Sequence, residues 1–407
     1  MFRTTLVIAV GIACGTFAAG GRAEEQALAI RWDFPGGNVV VESAGNVDET
    51  GKCVVQMKPD LDGGRDWFYW CFEATAAKPV EATFEFPEKV AGQINGAVGF
   101  QGPAISQDGG QTWDWMGNDT AVVRGRSFRY TFAKAGESVR LAVTIPYLQR
   151  DFDAFKARHA ENPHFRTSVM THSRRDRAVE LVQIGRPGPD VTAVLMTARH
   201  HACETIASFV LEGILQAAMA ETPAGEAFRK KYVLYAVPFV DKDGVEEGDQ
   251  GKGRTPHDHN RDYGAGAIYP EVRAIMELGE SANVRASLDL HCPMLNLADH
   301  QVLYFVGPKD YPPHNEANVK RFADAIKQKL PAGSPFGPLV WLKDADADRW
   351  KHNSGHFARR PGALMAATLE IPYAPAKAIM HPEAVRSYGE AILRAWNETS
   401  FASSPSP

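Results

Sequence analysis

The chain has 407 residues, 44% of them hydrophobic and 23% charged, with a formal net charge of −5 at pH 7. That balance belongs to a folded globular chain of about two domains and excludes collagen-like, coiled-coil and disordered polymers. The acidic surplus argues against nucleic acid or an anionic membrane as the main partner.

The first 23 residues read as a secretory signal. Arg3 is the basic start, Thr5 to Ala13 the apolar run and Gly21-Arg22-Ala23 the small-residue cleavage region. The run is too short to span a bilayer, and no later stretch reaches spanning length. The mature chain is therefore expected to be soluble and secreted or periplasmic. Removing residues 1–23 takes away Arg3 and Arg22 and no acid, leaving 42 basic against 49 acidic residues, a net of −7. Cys14 follows Gly11-Ile12-Ala13, a poor context for lipid attachment. The mature cysteines are Cys53, Cys71, Cys203 and Cys292, and export permits disulfides. Cys53 and Cys71 fall in neighbouring strand-like runs and could pair; the sequence does not choose among the possible pairings.

Residues 24–148 predict an antiparallel β-sandwich. NVVVES, KCVVQMK, DWFYWCFEA, VEATFEF, SFRYTF and SVRLAVTI are rich in β-branched and aromatic residues, and Gly36-Gly37, Gly63-Gly64 and Gly109-Gly110 punctuate them. SQDGGQTW, Ser106 to Trp113, fits the Asp-box pattern, a hairpin turn capped by an acid. Such turns recur in sialidase propellers, but a single copy reads as a well-made turn rather than a sugar site.

From residue 149 to about 400 the pattern changes to strands alternating with longer helices. Apolar runs at 191–196, 232–240, 286–290 and 366–371 are buried-strand candidates, and helices are expected near 204–219, 268–280, 315–329 and 382–397. Alternation of this kind predicts an α/β domain around a largely buried sheet. Residues 401–407, ending in SSPSP, read as a flexible tail.

Four short segments of this second half carry chemistry. In RHHACE, His201 and Glu204 are separated by two residues at a strand-to-helix junction, where α/β sheets bind ligands. Imidazole nitrogen and carboxylate oxygen both suit Zn²⁺. His291 in SLDLHCP ends another apolar run and supplies a third ligand, leaving a position for water. His200 lacks the spacing and reads as a neighbour. GRTPHDHNRDY places Arg254, Asp258, Asn260 and Arg261 in one polar loop. Asn-Arg there is a receptor for a free carboxylate, which a guanidinium grips through two parallel hydrogen bonds. In ATLEIPY, Glu370 interrupts a strand-like run, a costly place for a carboxylate unless it is paired or lies at a strand end; near a zinc-bound water it would be a general base.

Taken in order, ARHHACET, PFVDKDGV, DHNRDY, DLHCP and TLEIPY resemble five motifs of the zinc metallocarboxypeptidases. DWFYWCFEA and VTIPY are similar to motifs of the cytosolic-carboxypeptidase-like branch, which carries an N-terminal β-sandwich. The resemblance implies an α/β class chain: a carboxypeptidase-like α/β/α catalytic domain with a mixed sheet after the sandwich. It implies one Zn²⁺ per chain on His201, Glu204 and His291, with Asp258 hydrogen-bonding a ligand histidine. It implies that Asn260 and Arg261 grip the terminal carboxylate, Arg254 polarises the scissile carbonyl and Glu370 is the general base. The implied partner is a peptide or protein C-terminus; oligomeric state is not legible. The family's usual capping tyrosine has no counterpart in Pro331 to Leu369, leaving His352, His356 or Tyr373 as substitutes, or no cap. Lys351, Arg359 and Arg360 make the segment before Glu370 basic and hint at acidic terminal residues. Three other readings compete. They are a zinc deacylase of the aspartoacylase or succinylglutamate-desuccinylase type, a peptidoglycan-trimming carboxypeptidase, and a non-catalytic binding module.

Overall fold

The computed structural model describes residues 27–402, apart from 44, 46, 49, 59–60, 63–64, 91–93, 298–299, 309–310, 343–348, 374 and 376–379. The signal-like segment, Cys14, the Gly63-Gly64 turn and the last five residues lie outside the described residues.

The N-terminal half is two five-stranded sheets. One runs Leu28–Arg31, Cys71–Ala76, Ser138–Ala142, Ala104–Ser106, Asp114–Trp115; the other runs Ala121–Val123, Ser127–Phe132, Val80–Glu85, Lys52–Lys58, Val40–Ser43. Alternation sets which face turns inward. In Val80–Glu85, Val80, Ala82 and Phe84 are buried while Glu81, Thr83 and Glu85 reach towards solvent. The Trp70 ring stacks on Phe86 and Phe128 at centroid distances of 4.7 and 5.8 Å, filling the space between the sheets.

Two expectations change here. Lys52–Lys58 pairs with Val80–Glu85 in parallel, so the sandwich is not purely antiparallel. The chain between them crosses to the other sheet as Cys71–Ala76, and one such crossing returns it in the original direction. The same crossing puts Cys53 and Cys71 in different sheets, and all four described cysteines are buried free thiols.

The SQDGGQTW segment is a turn tied to itself. Asp108 accepts hydrogen bonds from Ser106 Oγ at 2.7 Å, Gln111 N at 2.9 Å and Thr112 Oγ1 at 2.6 Å, and Trp113 Nε1 donates to Gly110 O at 3.1 Å. Arg150 also donates to Gly110 O, which fastens the turn to the Gln149–Arg158 helix.

The second half is built on an eight-stranded mixed sheet. Its order is Phe165–His172, Ala178–Ile184, Tyr232–Val237, Thr192–Ala198, Val284–His291, Met365–Glu370, Tyr304–Pro308, Val340–Leu342. The central four strands are parallel and almost wholly buried, as unbroken apolar runs demand when helices cover both faces. One face shares a core with the sandwich, continuous from Trp70 and Phe72 through Tyr147 and Phe209 to Leu288 and Leu290. The opposite face packs Leu195 and Tyr235 against Val272, Ile275 and Phe357.

Candidate metal centre

Three adjacent parallel strands deliver the site at their carboxyl ends. Thr192–Ala198 runs into the loop that carries His201 and Glu204, ahead of the Ile206–Met219 helix. Val284–His291 ends at His291, which lies in register with Glu370, the last residue of Met365–Glu370. Buried Arg199 shapes the loop. Its φ of 64° lies in the left-handed region, and its guanidinium donates to Ala202 O at 2.9 Å and Tyr147 O at 2.8 Å. Thr205 Oγ1 donates to Ile145 O at 2.7 Å, so the VTIPY segment holds the loop at both ends.

Glu204 has no exposed surface and stands between two imidazoles. His201 Nδ1 is 2.9 Å from its Oε1, and His291 Nδ1 is 2.7 Å from its Oε2. Both rings turn Nδ1 to this centre. His291 Nε2 lies 2.7 Å from Asp289 Oδ2 and 3.0 Å from Asn260 Nδ2, and His201 Nε2 lies 3.6 Å from Asp258 Oδ1. A carboxylate at hydrogen-bond distance, as Asp289 is from His291, fixes the tautomer and aim of a metal-binding imidazole. The ligand atoms of His201, Glu204 and His291 lie within 4.8 Å of one another, and two imidazole nitrogens with a carboxylate oxygen suit Zn²⁺. Beside them, Glu370 Oε2 is buried with no hydrogen-bond partner, so a reacting group can be received there. Burial pushes the Glu370 carboxyl above its ordinary range; His291 opposes this and Glu204 reinforces it. The residues present fit the ion.

Sequence reasoning missed Asp289 and the buried chain behind it. Asp289 Oδ1 accepts from Thr197 Oγ1 at 2.7 Å and lies 2.8 Å from His200 Nδ1. His200 Nε2 is 2.7 Å from Tyr263 OH, which accepts from Asn353 Nδ2 at 2.9 Å. His200, Asp289 and His291 also have metal-ligand spacing. Both oxygens of Asp289 are already engaged by protein, so its geometry props His291 rather than opening a second centre. Burial would raise the Asp289 carboxyl, but His200 and His291 hold it well below the usual carboxylate range. The signal was in SLDLH. Ser287, Asp289 and His291 alternate with leucines, which places all three on one face of the strand.

In the polar loop, Arg254 pairs with Asp241 Oδ2 at 2.7 Å and Asp249 Oδ2 at 3.3 Å. The cation at the centre is Lys252, which the sequence reading passed over; its Nζ is 3.0 Å from Glu204 Oε1. The cause is local. Gly251 has φ of 77°, and a Cβ there would lie 2.3 Å from Ala202 N. Only glycine lets the loop press against the His201–Ala202 backbone, and the next side chain then points at Glu204. Asn260 Oδ1 accepts from Asn353 N at 3.0 Å, and its Nδ2 lies 3.0 Å from His291 Nε2, which faces Asp289. Arg261 is half-buried and donates Nη1 to Asn260 O at 3.1 Å.

A cavity of about 340 Å³ adjoins Tyr263 and is lined by Trp350, Lys351, His356 and Arg359. Two of the three bases expected near the side-chain pocket are there, whereas Arg360 turns away to Glu280. Tyr373 is fully buried, with its hydroxyl donating to Cys203 O at 3.3 Å, and is out of reach as a cap.

The fold and this cluster agree with the comparisons. The zinc carboxypeptidase family model matches residues 153–360, about half of the chain, and the chain belongs to that family. Cytosolic carboxypeptidase 6 of Caenorhabditis elegans is 24% identical over 278 residues, which cover 60% of this chain and 59% of that protein. Cytosolic carboxypeptidase 1 of Homo sapiens is 34% identical over 186 residues, 37% of this chain and 15% of that protein. The chain thus spans less than two thirds of the length of these relatives. A metallo-carboxypeptidase from Burkholderia cenocepacia shares the fold with a TM-score of 0.74 at 19% identity, over 91% of this chain and 98% of that one. One from Pseudomonas aeruginosa, solved with (2-guanidinoethylmercapto)succinic acid, has a TM-score of 0.70 at 19% identity, over 91% of this chain and 98% of that one. Among the described residues, no helix is long and apolar enough to cross a membrane.

Proposed function

We propose that this protein is a zinc-dependent metallocarboxypeptidase that hydrolyses the last residue from peptides. The observation that carries this reading is the convergence of His201 Nδ1, Glu204 and His291 Nδ1 beside the unpaired Glu370 Oε2. His201, Glu204 and His291 hold one Zn²⁺, which supplies Lewis acidity to a water and to the scissile carbonyl. Asp289 keeps the His291 ring aimed, and Asp258 faces the His201 ring. Arg261 takes the free carboxylate of the substrate, so that only the terminal peptide bond reaches the centre. Glu370 accepts a proton from the attacking water as its oxygen bonds to the carbonyl carbon. It gives that proton to the leaving nitrogen as the C–N bond breaks. The signal-like first 23 residues support action on peptides outside the cytosol.

Glu370→Gln tests the scheme. The variant is expected to retain a full equivalent of zinc while kcat on a blocked dipeptide falls by about 10²–10⁴. Wild-type turnover in that variant would remove Glu370 from its role. Preferential cleavage of an N-acyl amino acid, or of muropeptides alone, would reassign the substrate while leaving the centre intact.

A further inference from the structure

We infer that Lys252 is the cation that stabilises the negative charge developing on the substrate's carbonyl oxygen, in place of an arginine. The inference rests on the peptidase reading above and names the residue that completes it. Lys252 Nζ stands 3.0 Å from Glu204 Oε1, at the edge of the group that binds the metal. The charges of both Glu204 and Glu370 act on it. On its other side the Trp67 ring, contributed by the sandwich, is centred 5.4 Å away. The side chain is 23% exposed, so its tip is screened but within reach of a bound peptide.

The position is built. Gly251 holds the backbone against Ala202, and Cys203 N donates to Gln250 O at 3.1 Å, so the residues before Lys252 are tied to the metal-binding loop. Gln250 is itself clamped by the sandwich: Tyr69 N donates to its Oε1 at 2.7 Å, and its Nε2 donates to Tyr69 O at 3.0 Å. Of the other cations of the loop, Arg254 pairs with Asp241 and Asp249, and Arg261 donates to Asn260 O at 3.1 Å. A peptide carbonyl that enters beside Glu204 meets an ammonium already held there, 3.0 Å from Glu204 Oε1. A preorganised donor of this kind acts in the transition state more than in the ground state.

The test compares Lys252→Met, Lys252→Arg and wild type, each loaded with zinc and shown by circular dichroism and metal analysis to be folded and stoichiometric. Four quantities are read: kcat and KM on a blocked dipeptide, the Kd of a phosphinic peptide that mimics the tetrahedral state, and the Kd of the product amino acid. Lys252→Met is expected to lower kcat by about 10²–10³, to weaken the phosphinic peptide by a similar factor and to leave product affinity and KM close to wild type. Lys252→Arg should recover part of both losses. Unchanged kcat and phosphinic-peptide affinity in Lys252→Met would reduce Lys252 to a counter-ion of Glu204 and overturn the inference while leaving the peptidase reading standing. Weakening of product and phosphinic peptide alike would overturn it too, since that marks general disruption of the pocket. A zinc-loaded wild type that neither cleaves peptides nor binds the phosphinic peptide would remove both.

Discussion

Glu204 and Glu271 are both buried carboxylates, and their neighbours set opposite charge states. Burial opposes ionisation of Glu204, yet Lys252, His201 and His291 outweigh it and hold the carboxyl well below its ordinary range. Glu271 has weaker company, with His259 Nε2 3.9 Å from its Oε2 and Arg174 opposing burial only in part. Burial, with Asp241 and Asp243 adding to it, pushes its carboxyl up from 4.5 to about 7, and its Oε2 has no hydrogen-bond partner. In the unfolded chain this carboxyl ionises above pH 4.5, whereas in the fold it keeps its proton to about 7. Folding stability therefore falls as pH rises between those values and stays lower beyond them, by roughly 2–3 kcal/mol. Glu271→Gln removes this penalty. Its gain in thermal midpoint over wild type is expected to be larger at pH 8 than at pH 5; a gain that does not change with pH would contradict the assignment. At this scale His201, Glu204, His291 and Glu370 were legible because their spacing and their places at strand ends follow from local pattern. Lys252 was not. GKGR offers two cations two residues apart, and the choice between them depends on a contact with Ala202 that no local pattern records.

The segment from Gly248 to Arg261 is where the sequence said least and the structure does most. It has little regular structure, so periodicity could not place it, and its geometry comes from contacts with the RHHACE loop and the sandwich. Gly251→Ala probes that dependence. The added methyl would sit 2.3 Å from Ala202 N at a φ of 77°. A loss of about 1–3 kcal/mol is expected for such strain, together with a fall in kcat as Lys252 is displaced. Gly266→Ala, where a Cβ meets nothing within 4 Å, should keep the wild-type melting temperature. A Gly251→Ala protein with wild-type melting and turnover would show that the close approach has no bearing on the site. Elsewhere, element visibility followed hydrophobic pattern. The long helices fall close to expectation, at Ile206–Met219, Pro270–Ser281, Pro313–Lys329 and Pro382–Glu398. Of the strands passed over, Ala178–Ile184 has an apolar pattern that could have been read, and the others lack a clear signal. Phe165–His172 is a largely exposed edge, Tyr304–Pro308 has five residues and Val340–Leu342 three. The six-residue Asn353–Ala358 helix, which carries the Asn353 contacts to Asn260 and Tyr263, is likewise too short for amphipathic periodicity to show.

Across the whole molecule the sandwich forms one wall of the centre. Asn38 Nδ2 donates to Gly248 O at 2.9 Å, Gln101 Nε2 to Pro375 O at 2.6 Å and Trp115 Nε1 to Met380 O at 3.3 Å. Phe68 meets Tyr373 edge-on with ring centroids 5.5 Å apart, just beyond the strand that ends at Glu370. These contacts grip the two chain segments flanking the metal-binding loop, and they explain why one apolar core runs through both halves. The sequence announced a sandwich followed by an α/β sheet, but which sandwich residues touch which catalytic loop is a tertiary fact without a local signature. Every role assigned here depends on a single ion bound by side chains from two neighbouring strand ends. Anomalous diffraction from crystals of the zinc-loaded protein, recorded on both sides of the zinc absorption edge, measures that directly. One strong peak is expected, bonded to His201 Nδ1, the Glu204 carboxylate and His291 Nδ1 and facing Glu370. No peak there, or a peak held by other residues, would contradict the assignment of this centre.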